Sequence, residues 1–534
     1  MTAPRRDPAR GLGAVAVGTA IFLSRIAGLV RTRVFGHFLG TSPAADAFSV
    51  AFRIPNVLQN LFGEGALSAS FIPVYAGLLA RGDDREARRV ASAVAALLGL
   101  VVAVLVLLGV LAAPLLVDVL APGFGGAGDP AGRHALAERL VRIVFPGTGL
   151  LVLSAWCLGV LNSHGRFFLA YAAPITWNAA IIAALVWRGG TDGDALAVAA
   201  SWGALIGSAL QLGVQLPSVL ALLGGVGAPG ALAGPVRQVV ANFGPALLGR
   251  GVLQVSAYVD LAIASLLPLG AAAGLTYAQT LYLLPVSLFG LSISAAELPA
   301  MAREGAVGTD DAAAAALRTR LASGLGRIRA LVVPSAVAFL VLGQVIAAAL
   351  FQSGQFGAAD SRFVWGIVAG AAPGLLATTQ ARLFSSAFYA LQDTRTPLRI
   401  ALVRVGASGL LGWLAAFHLP SAAGVDARWG AAGLTLAASA AGWLEWALLR
   451  RALARRVGTL PVAMGATART WVAAAAAGAG GWLVSGAVDG AHPVVAAVLV
   501  LGAFGLLYAA GALALGVAEV AALLARLRGR VRRA

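Results

Sequence analysis

Apolar runs of bilayer-spanning length follow one another along the whole chain, each ended by a short break of Gly, Pro, Asp or Arg. A helix needs about 20 apolar residues to cross the hydrocarbon core, and within lipid only helices and closed barrels satisfy every backbone polar group. Runs and breakers together predict about fourteen spans, over 11–39, 44–79, 90–120, 137–162, 168–187, 195–223, 237–267, 271–302, 322–350, 362–391, 397–417, 428–450, 468–486 and 492–524. The fold class expected is an all-α polytopic membrane protein.

Polar positions set its orientation. Arg81, Arg85, Arg88 and Arg89, then Arg166, then Arg303, Arg318 and Arg320, then Arg395 and Arg399 fall in breaks on one side. Arg450, Arg451, Arg455, Arg456 and the tail from Arg526 to Arg533 join them, while the breaks near 40–44, 268–271 and 486–491 hold no arginine. The positive-inside rule puts both termini in the cytoplasm. The break at 121–136 carries Arg133 with Asp129 and leaves that orientation unchanged.

The pattern also repeats. LFGEGALSASFIP at 61–73 is answered by LFGLSISAAELP at 288–299, VLAPGFGG near 119–126 by ALFQSGQFG near 349–357, and GVLNSHGRF by YALQDTRTP. The offset, about 226 to 230 residues, is steady across the three. It predicts two pseudo-symmetric six-helix lobes, 1–225 and 226–455, and two further helices with a basic tail in 456–534. An even helix number per lobe keeps both in one orientation, an arrangement suited to a transporter with a cavity between them. The second LFG copy reads as having lost the charges of the first.

Composition narrows the class. The chain is 59% hydrophobic and 11% charged with mean hydropathy +0.86, where soluble domains carry about a quarter charged residues. A net charge of +17 with no lysine suggests nucleic acid at first sight. The arginines lie in short loops, so topology explains them and no nucleic-acid partner is expected. The single Cys157 excludes an intrachain disulfide, and His37, His134, His164, His418 and His492 lack ligand spacing. The first apolar run continues past Arg25 without a cleavage site and reads as a retained span. Walker A and nucleophile–base patterns are absent, so no enzyme is expected.

Against this background the charges of 22–73 stand out: Arg25, Arg31, Arg33, Asp46, Arg53 and Glu64. Ionisable residues at membrane depth are costly and mark function by default. Asp46, Arg53 and Asn60 recur at i, i+7 and i+14, one polar stripe of a helix. Arg25 and Arg31 lie about 9 Å apart along the helix and about 120° apart around it, which requires a broad cavity. These residues read as a cationic chamber for an anionic head group, since the arginine fork matches phosphate; ion pairing that only braces helices is the competing reading. Arg33 suits snorkelling to the interface, and Glu64, between Gly63 and Gly65, suits capping or gating at a helix break. The second half adds Arg250 and Arg382 as chamber-facing candidates, Arg404, and Asp260, which either pairs with an arginine or holds a coupling cation. Asp393 in QDTRTP reads as a turn and cap residue.

SRIAGLVRTRVFG, ADAFSVAFRIPNVL, FGEGALSASFIPVYAGLLARG and, later, FGPALLG and FYALQDTRTP resemble the MurJ (MviN) lipid II flippase family over essentially the whole chain. The resemblance implies the multidrug/oligosaccharidyl-lipid/polysaccharide exporter fold and alternating access. It implies as substrate undecaprenyl-diphosphate-linked disaccharide pentapeptide, carried from the inner to the outer leaflet. Arg25 and Arg31 match the family's helix-1 arginines, Asp46 and Glu64 its acids, Arg382 a basic position of some members, and Asp260 a position implied to bind sodium. No cofactor is implied; coupling to Na+ or to the membrane potential is, with membrane lipids and cell-wall synthesis proteins as candidate partners. Gln59, Asn60, Thr280 and Leu283 stand where relatives carry charge, so Arg53 and Arg250 are candidates to supply it. Rival readings are a flippase for another polyprenyl-linked glycan and a cation-coupled drug exporter of the same fold; the basic first helix disfavours the latter. A scaffold for cell-wall enzymes would tolerate Arg25→Ala.

Overall fold

Proline, glycine and short polar caps decide where each helix starts and stops. The computed structural model describes Pro8 to Val531 apart from residues 63, 126–128, 130–131, 226–233, 295, 299–300, 302–310 and 461–462. Within described helices, the side chains of 8–18, 57, 64–66, 68–69, 245–253, 255, 291, 311–313 and 526–531 also fall outside the description. The helices of the first half are α1 (Pro8–Leu39), α2 (Pro43–Phe62), α3 (Glu64–Ala80), α4 (Asp84–Leu111), α5 (Ala113–Leu120), α6 (Arg133–Ser163), α7 (Phe167–Ala172), α8 (Pro174–Trp187), α9 (Gly193–Leu223) and α10 (Pro235–Ser265). Those that follow are α11 (Ala271–Pro285), α12 (Asp311–Phe351), α13 (Ala358–Ala390), α14 (Arg395–Ala422), α15 (Gly430–Val457), α16 (Met464–Ala487), α17 (Pro493–Ala514) and α18 (Ala518–Val531). Proline opens α5, α8, α10 and α17, where its missing N–H would have no helical partner. Asp83 and Asp192 cap α4 and α9 by accepting from the N–H of Glu86 and Ala195.

Among the described residues every expected span is helical, but several are divided. The 90–120 span breaks at Ala112, 168–187 before Pro174, and 492–524 after Ala514, while residue 63, between α2 and α3, lies outside the described residues. Ten described helices are long and apolar enough to cross a membrane on length and composition alone. The other four expected spans are α1, α2 with α3, α10 and α16; the first three carry Arg25, Arg31, Arg33, Asp46, Arg53, Glu64, Arg250 and Asp260, and α16 is largely Ala and Gly.

Contacts divide the chain into two compact units, Met1–Ala272 and Ala273–Ala534. In the first, α6 is central, packing on α2, α3, α4 and α9. Its apolar window is 78% buried against 22% for α4 and for α9, whose outer faces expose Leu100, Leu107, Ile206 and Leu210 to lipid. A polar network pins α9 to α6: Gln211 Nε2 donates to Ser154 Oγ at 2.9 Å, and Ser154 Oγ to Gln215 Oε1 at 2.6 Å. In the second unit α13 packs between α12 and α15. There Thr435 and Ser439 of α15 donate to the carbonyls of Ile367 and Gly370 on α13 at 2.7 and 2.8 Å.

Copies of the repeated motifs share local geometry. The second LFG copy lies in a π-helical stretch, Val286–Leu291, that interrupts regular helix, while Gly63 of the first copy lies outside the described residues. After α6, Gly165 (φ 72°) turns the chain and the Arg166 N–H reaches the Leu161 carbonyl at 2.9 Å. After α13, Gln392 (φ 58°) does the same and the Asp393 N–H reaches the Phe388 carbonyl at 2.9 Å. Both are left-handed helix ends with the same long-range amide bond. The second LFG copy is not stripped of charge: Glu297 is buried and paired with Arg327, with Arg320 at 3.8 Å.

Candidate functional site

The first cluster is built on α1 and α8. Arg31 lies with its guanidinium carbon 4.9 Å from the centre of the Trp177 ring. Trp177 is held in turn by Phe52 at 5.5 Å, and Phe52 stacks on Phe48 at 5.1 Å. A guanidinium over an indole face is held there by attraction to the ring electrons, and its planar fork of N–H donors suits a phosphate oxygen pair. Arg25, nearly two turns earlier, is exposed, and Arg33 is partly buried. Beside them the buried Asn178 donates from Nδ2 to the Pro174 carbonyl at 2.9 Å. Its Oδ1 faces the Gly28 position of α1 and has no hydrogen-bond partner among the described residues. The sequence reading missed Trp177 and Asn178; a Trp-Asn pair within an apolar run was the signal.

The second feature is the α2 stripe, which faces α10 along its length. Asn60 Nδ2 donates to Gln254 Oε1 at 3.3 Å. Tyr258 Oη donates to the Arg53 carbonyl at 3.3 Å, and the Arg53 guanidinium lies within electrostatic reach of Asp260 and Tyr258. Beyond the end of α10, the Gly270 N–H donates to Asp46 Oδ2 at 2.7 Å. The two elements run antiparallel, so the spacing of seven on α2 meets successive polar groups on α10 and its following turn. Asp260 therefore sits beside an arginine, one of the two roles open to it. Among the described residues no group of three His, Cys, Asp or Glu could hold a metal ion.

At the end of the stripe Asp46 is 1% exposed. Arg133, which read from sequence as a loop charge, approaches it at 3.5 Å and Asp129 at 3.0 Å. The same guanidinium donates to the Gly123 carbonyl at 3.4 Å and lies over Phe124 at 4.5 Å. The Gly123 N–H donates to Ser265 Oγ at 3.1 Å. A Cβ at Gly123 would lie 2.1 Å from the Ser265 carbonyl oxygen, so only glycine permits this approach. The start of α2, the α5–α6 connection and the end of α10 are thus tied into one latch.

In the second unit Arg404 Nε on α14 lies 3.5 Å from Glu445 Oε2 on α15. Arg382 of α13, which is exposed, and Tyr282 of α11 are within electrostatic reach of that carboxylate. Trp446, beside Glu445, donates to Gln380 Oε1 at 2.7 Å. Glu445 was missed from sequence, although a glutamate within GWLEWALL is legible as an intramembrane charge. Asp393 accepts from the Arg395 and Thr396 N–H groups at 3.0 Å each, from Thr396 Oγ1 at 2.7 Å and from Arg456 at 2.6 Å, which is the expected cap. The side chains of Glu64 and Arg250 lie outside the described residues.

Comparison with known proteins gives these arrangements a context. The family described as lipid II flippase MurJ matches residues 35–505. A protein of Rhizobium meliloti (strain 1021) named probable lipid II flippase MurJ is 33% identical over 438 residues, 81% of this chain and 78% of that protein. One of Burkholderia cenocepacia named lipid II flippase MurJ is 33% identical over 385 residues, 71% of this chain and 73% of that protein. A solved structure of a lipid II flippase MurJ in an inward closed conformation is similar in fold, with TM-score 0.72 at 22% identity over 94% of this chain and 99% of that one. An inward-facing multidrug resistance MATE family transporter of the MOP superfamily is similar with TM-score 0.63 at 14% identity over 83% and 98%.

Proposed function

The chain belongs to the lipid II flippase MurJ family, and on that premise we propose that it carries lipid II across the bacterial cytoplasmic membrane by alternating access. The substrate is undecaprenyl-diphosphate-linked disaccharide pentapeptide, taken from the inner leaflet and released to the outer. The observation that carries this reading is Arg31, placed over the Trp177 ring beside Phe52 in an apolar part of the chain, with Arg25 on the same helix. A desolvated arginine fork is suited to a diphosphate, which no cationic drug would supply.

Arg25, Arg31 and Arg53 hold the diphosphate, and Arg250 and Arg382 add positive charge to the chamber. Arg53 has Asp260 in reach, so a diphosphate competes with Asp260 for the guanidinium and loosens α2 from α10. That competition links substrate capture to movement of two lobes, 1–225 and 226–455; the matching turns after α6 and α13 support the duplication. Asp46 holds the latch, Glu64, flanked in the sequence by Gly63 and Gly65, serves capping or gating, and residues 456–534 accommodate the polyprenyl tail. Both termini face the cytoplasm, as the arginine distribution supports. An inside-negative potential then favours return of the empty, positive chamber, by about 2.3 kcal/mol per charge per 100 mV. Asp260 is the candidate position for Na+ if an ion is coupled instead.

The test is rescue of a bacterium depleted of its own lipid II flippase. The wild-type chain restores growth, and Arg25→Ala and Arg31→Ala do not. Failure of the wild type despite confirmed membrane expression rules out lipid II as substrate. Full rescue by either alanine variant rules out the diphosphate-binding role.

A further inference from the structure

Helices α8 and α9 cross closely because of two glycines one turn apart. A Cβ on Gly203 would lie 2.8 Å from the Ala184 Cβ, and one on Gly207 would lie 2.8 Å from the Trp177 carbonyl oxygen. Five alanines, among them Ala180, Ala195 and Ala199, line the surface around that crossing, and their small side chains leave a furrow of about 830 Å³. The volume falls within the roughly 300–1,000 Å³ of sites that take a small molecule. Trp187, 83% exposed, and Trp202, 50% exposed, line it, and Ile206 and Leu210 continue it along α9.

Its mouth is charged with both signs. Arg139 of α6, Arg188 at the end of α8 and Asp194 in the first turn of α9 are all exposed lining residues. None of the three side chains has an ion-pair or hydrogen-bond partner among the described residues, whereas neighbouring Asp192 caps α9 through the Ala195 N–H at 2.7 Å. From Asp194 to Leu210 the furrow descends roughly 24 Å along the helix, close to one leaflet with its headgroup layer at roughly 20 Å. Side chains on a helix lean toward its N-terminus, so the Trp202 indole tilts toward the mouth. Its N–H also lacks a partner among the described residues, and at the interfacial level, where Trp side chains sit with their polar end toward the headgroups, a lipid ester carbonyl is an available acceptor.

We propose that this furrow binds one zwitterionic aminophospholipid. Arg139 and Arg188 take the phosphate, Asp194 the ammonium, Trp202 an ester carbonyl, and the Ile206–Leu210 face an acyl chain. An anionic lipid would satisfy the arginines and leave Asp194 repelled; a choline lipid brings no N–H to donate. Under the orientation proposed above the site lies in the outer leaflet, outside the transport chamber.

The test uses the purified full-length chain in nanodiscs of unlabelled phosphatidylcholine, with a small fraction of acyl-brominated phosphatidylethanolamine, phosphatidylglycerol or phosphatidylcholine. Bromine quenches nearby tryptophan, and Trp202→Phe isolates the Trp202 contribution. Brominated phosphatidylethanolamine is expected to reach half its Trp202 quenching at about a tenth of the mole fraction the other two need, the ratio one charge-assisted hydrogen bond supplies. Asp194→Asn and Arg188→Gln should each abolish that difference while elution volume and helical content stay unchanged. Equal quenching by all three lipids means annular lipid only and overturns the proposal. So does a preference for phosphatidylglycerol, or a difference that survives both substitutions. The readout involves no transport, so it stands or falls separately from the flippase assignment.

Discussion

Arg133→Ala should be the most damaging single change outside the transport chamber. The guanidinium lies between two carboxylates, Asp46 at 3.5 Å and Asp129 at 3.0 Å, and the three side chains are 6%, 1% and 5% exposed, too buried for salt to screen. Removing one partner of a buried pair costs about 3–5 kcal/mol because the other charge is left uncompensated. The ring contact with Phe124 adds about 1 kcal/mol. Two contacts survive and hold the total near 4 kcal/mol: the Gly270 N–H on Asp46 and the His134 N–H on Asp129, each a charge-assisted bond of about 1.5–3 kcal/mol. Taking the unit Met1–Ala272 as the unfolding body gives an unfolding entropy of about 0.6 kcal/mol per degree, so Tm should fall by about 7 °C. The assay is thermal unfolding of the purified chain in one fixed detergent and lipid. Arg133→Met combined with Asp46→Asn and Asp129→Asn should recover at least half of the loss, since no ionised carboxylate then remains buried. A drop of less than about 2 °C for Arg133→Ala, or a triple variant no better than the single one, would refute the latch as an electrostatic unit.

Other consequences follow from the second unit. Arg404→Ala should cost about 2 kcal/mol, less than for an isolated buried pair because Arg382 stays within reach of Glu445, and Glu445→Gln should cost less still; the two Tm shifts measure the order. Gln392→Gly should raise stability by about 0.5–1 kcal/mol, since Gln392 is the one non-glycine residue with positive φ among those described; an unchanged or lower Tm would contradict this. Hydrogen bonds from Thr396, with Arg456 adding, hold the Asp393 carboxyl below the ordinary carboxylate range. A depressed folded value means a contribution complete above the unfolded pKa and lost as pH falls through the folded one. Asp393→Asn should therefore cost about 1 kcal/mol at a constant level from about pH 5 to 8, and the difference should shrink below about pH 4.

Much of the molecule was legible in residue order. Apolar run length decides membrane helices, because a backbone in hydrocarbon has few ways to satisfy itself, and among the described residues every expected span is helical. The i, i+7, i+14 stripe of Asp46, Arg53 and Asn60 was readable because helical periodicity alone places those residues on one face. Motif likeness over most of the chain carried the family assignment.

What those charges touch was not readable, because partners distant in sequence are chosen by packing. Asp46 meets Arg133 and the Gly270 amide, 87 and 224 positions away, and only the approach of three helix ends at Gly123 brings them together. Trp177 becomes a wall for Arg31 only once α8 lies beside α1. Glu445 sat in plain view in an apolar run, yet its pairing with Arg404 depends on α14 and α15 packing side by side. Helical periodicity and hydrophobic length are local properties of the chain. Charge neutralisation at membrane depth is a property of neighbouring helices, and only the folded arrangement could decide it.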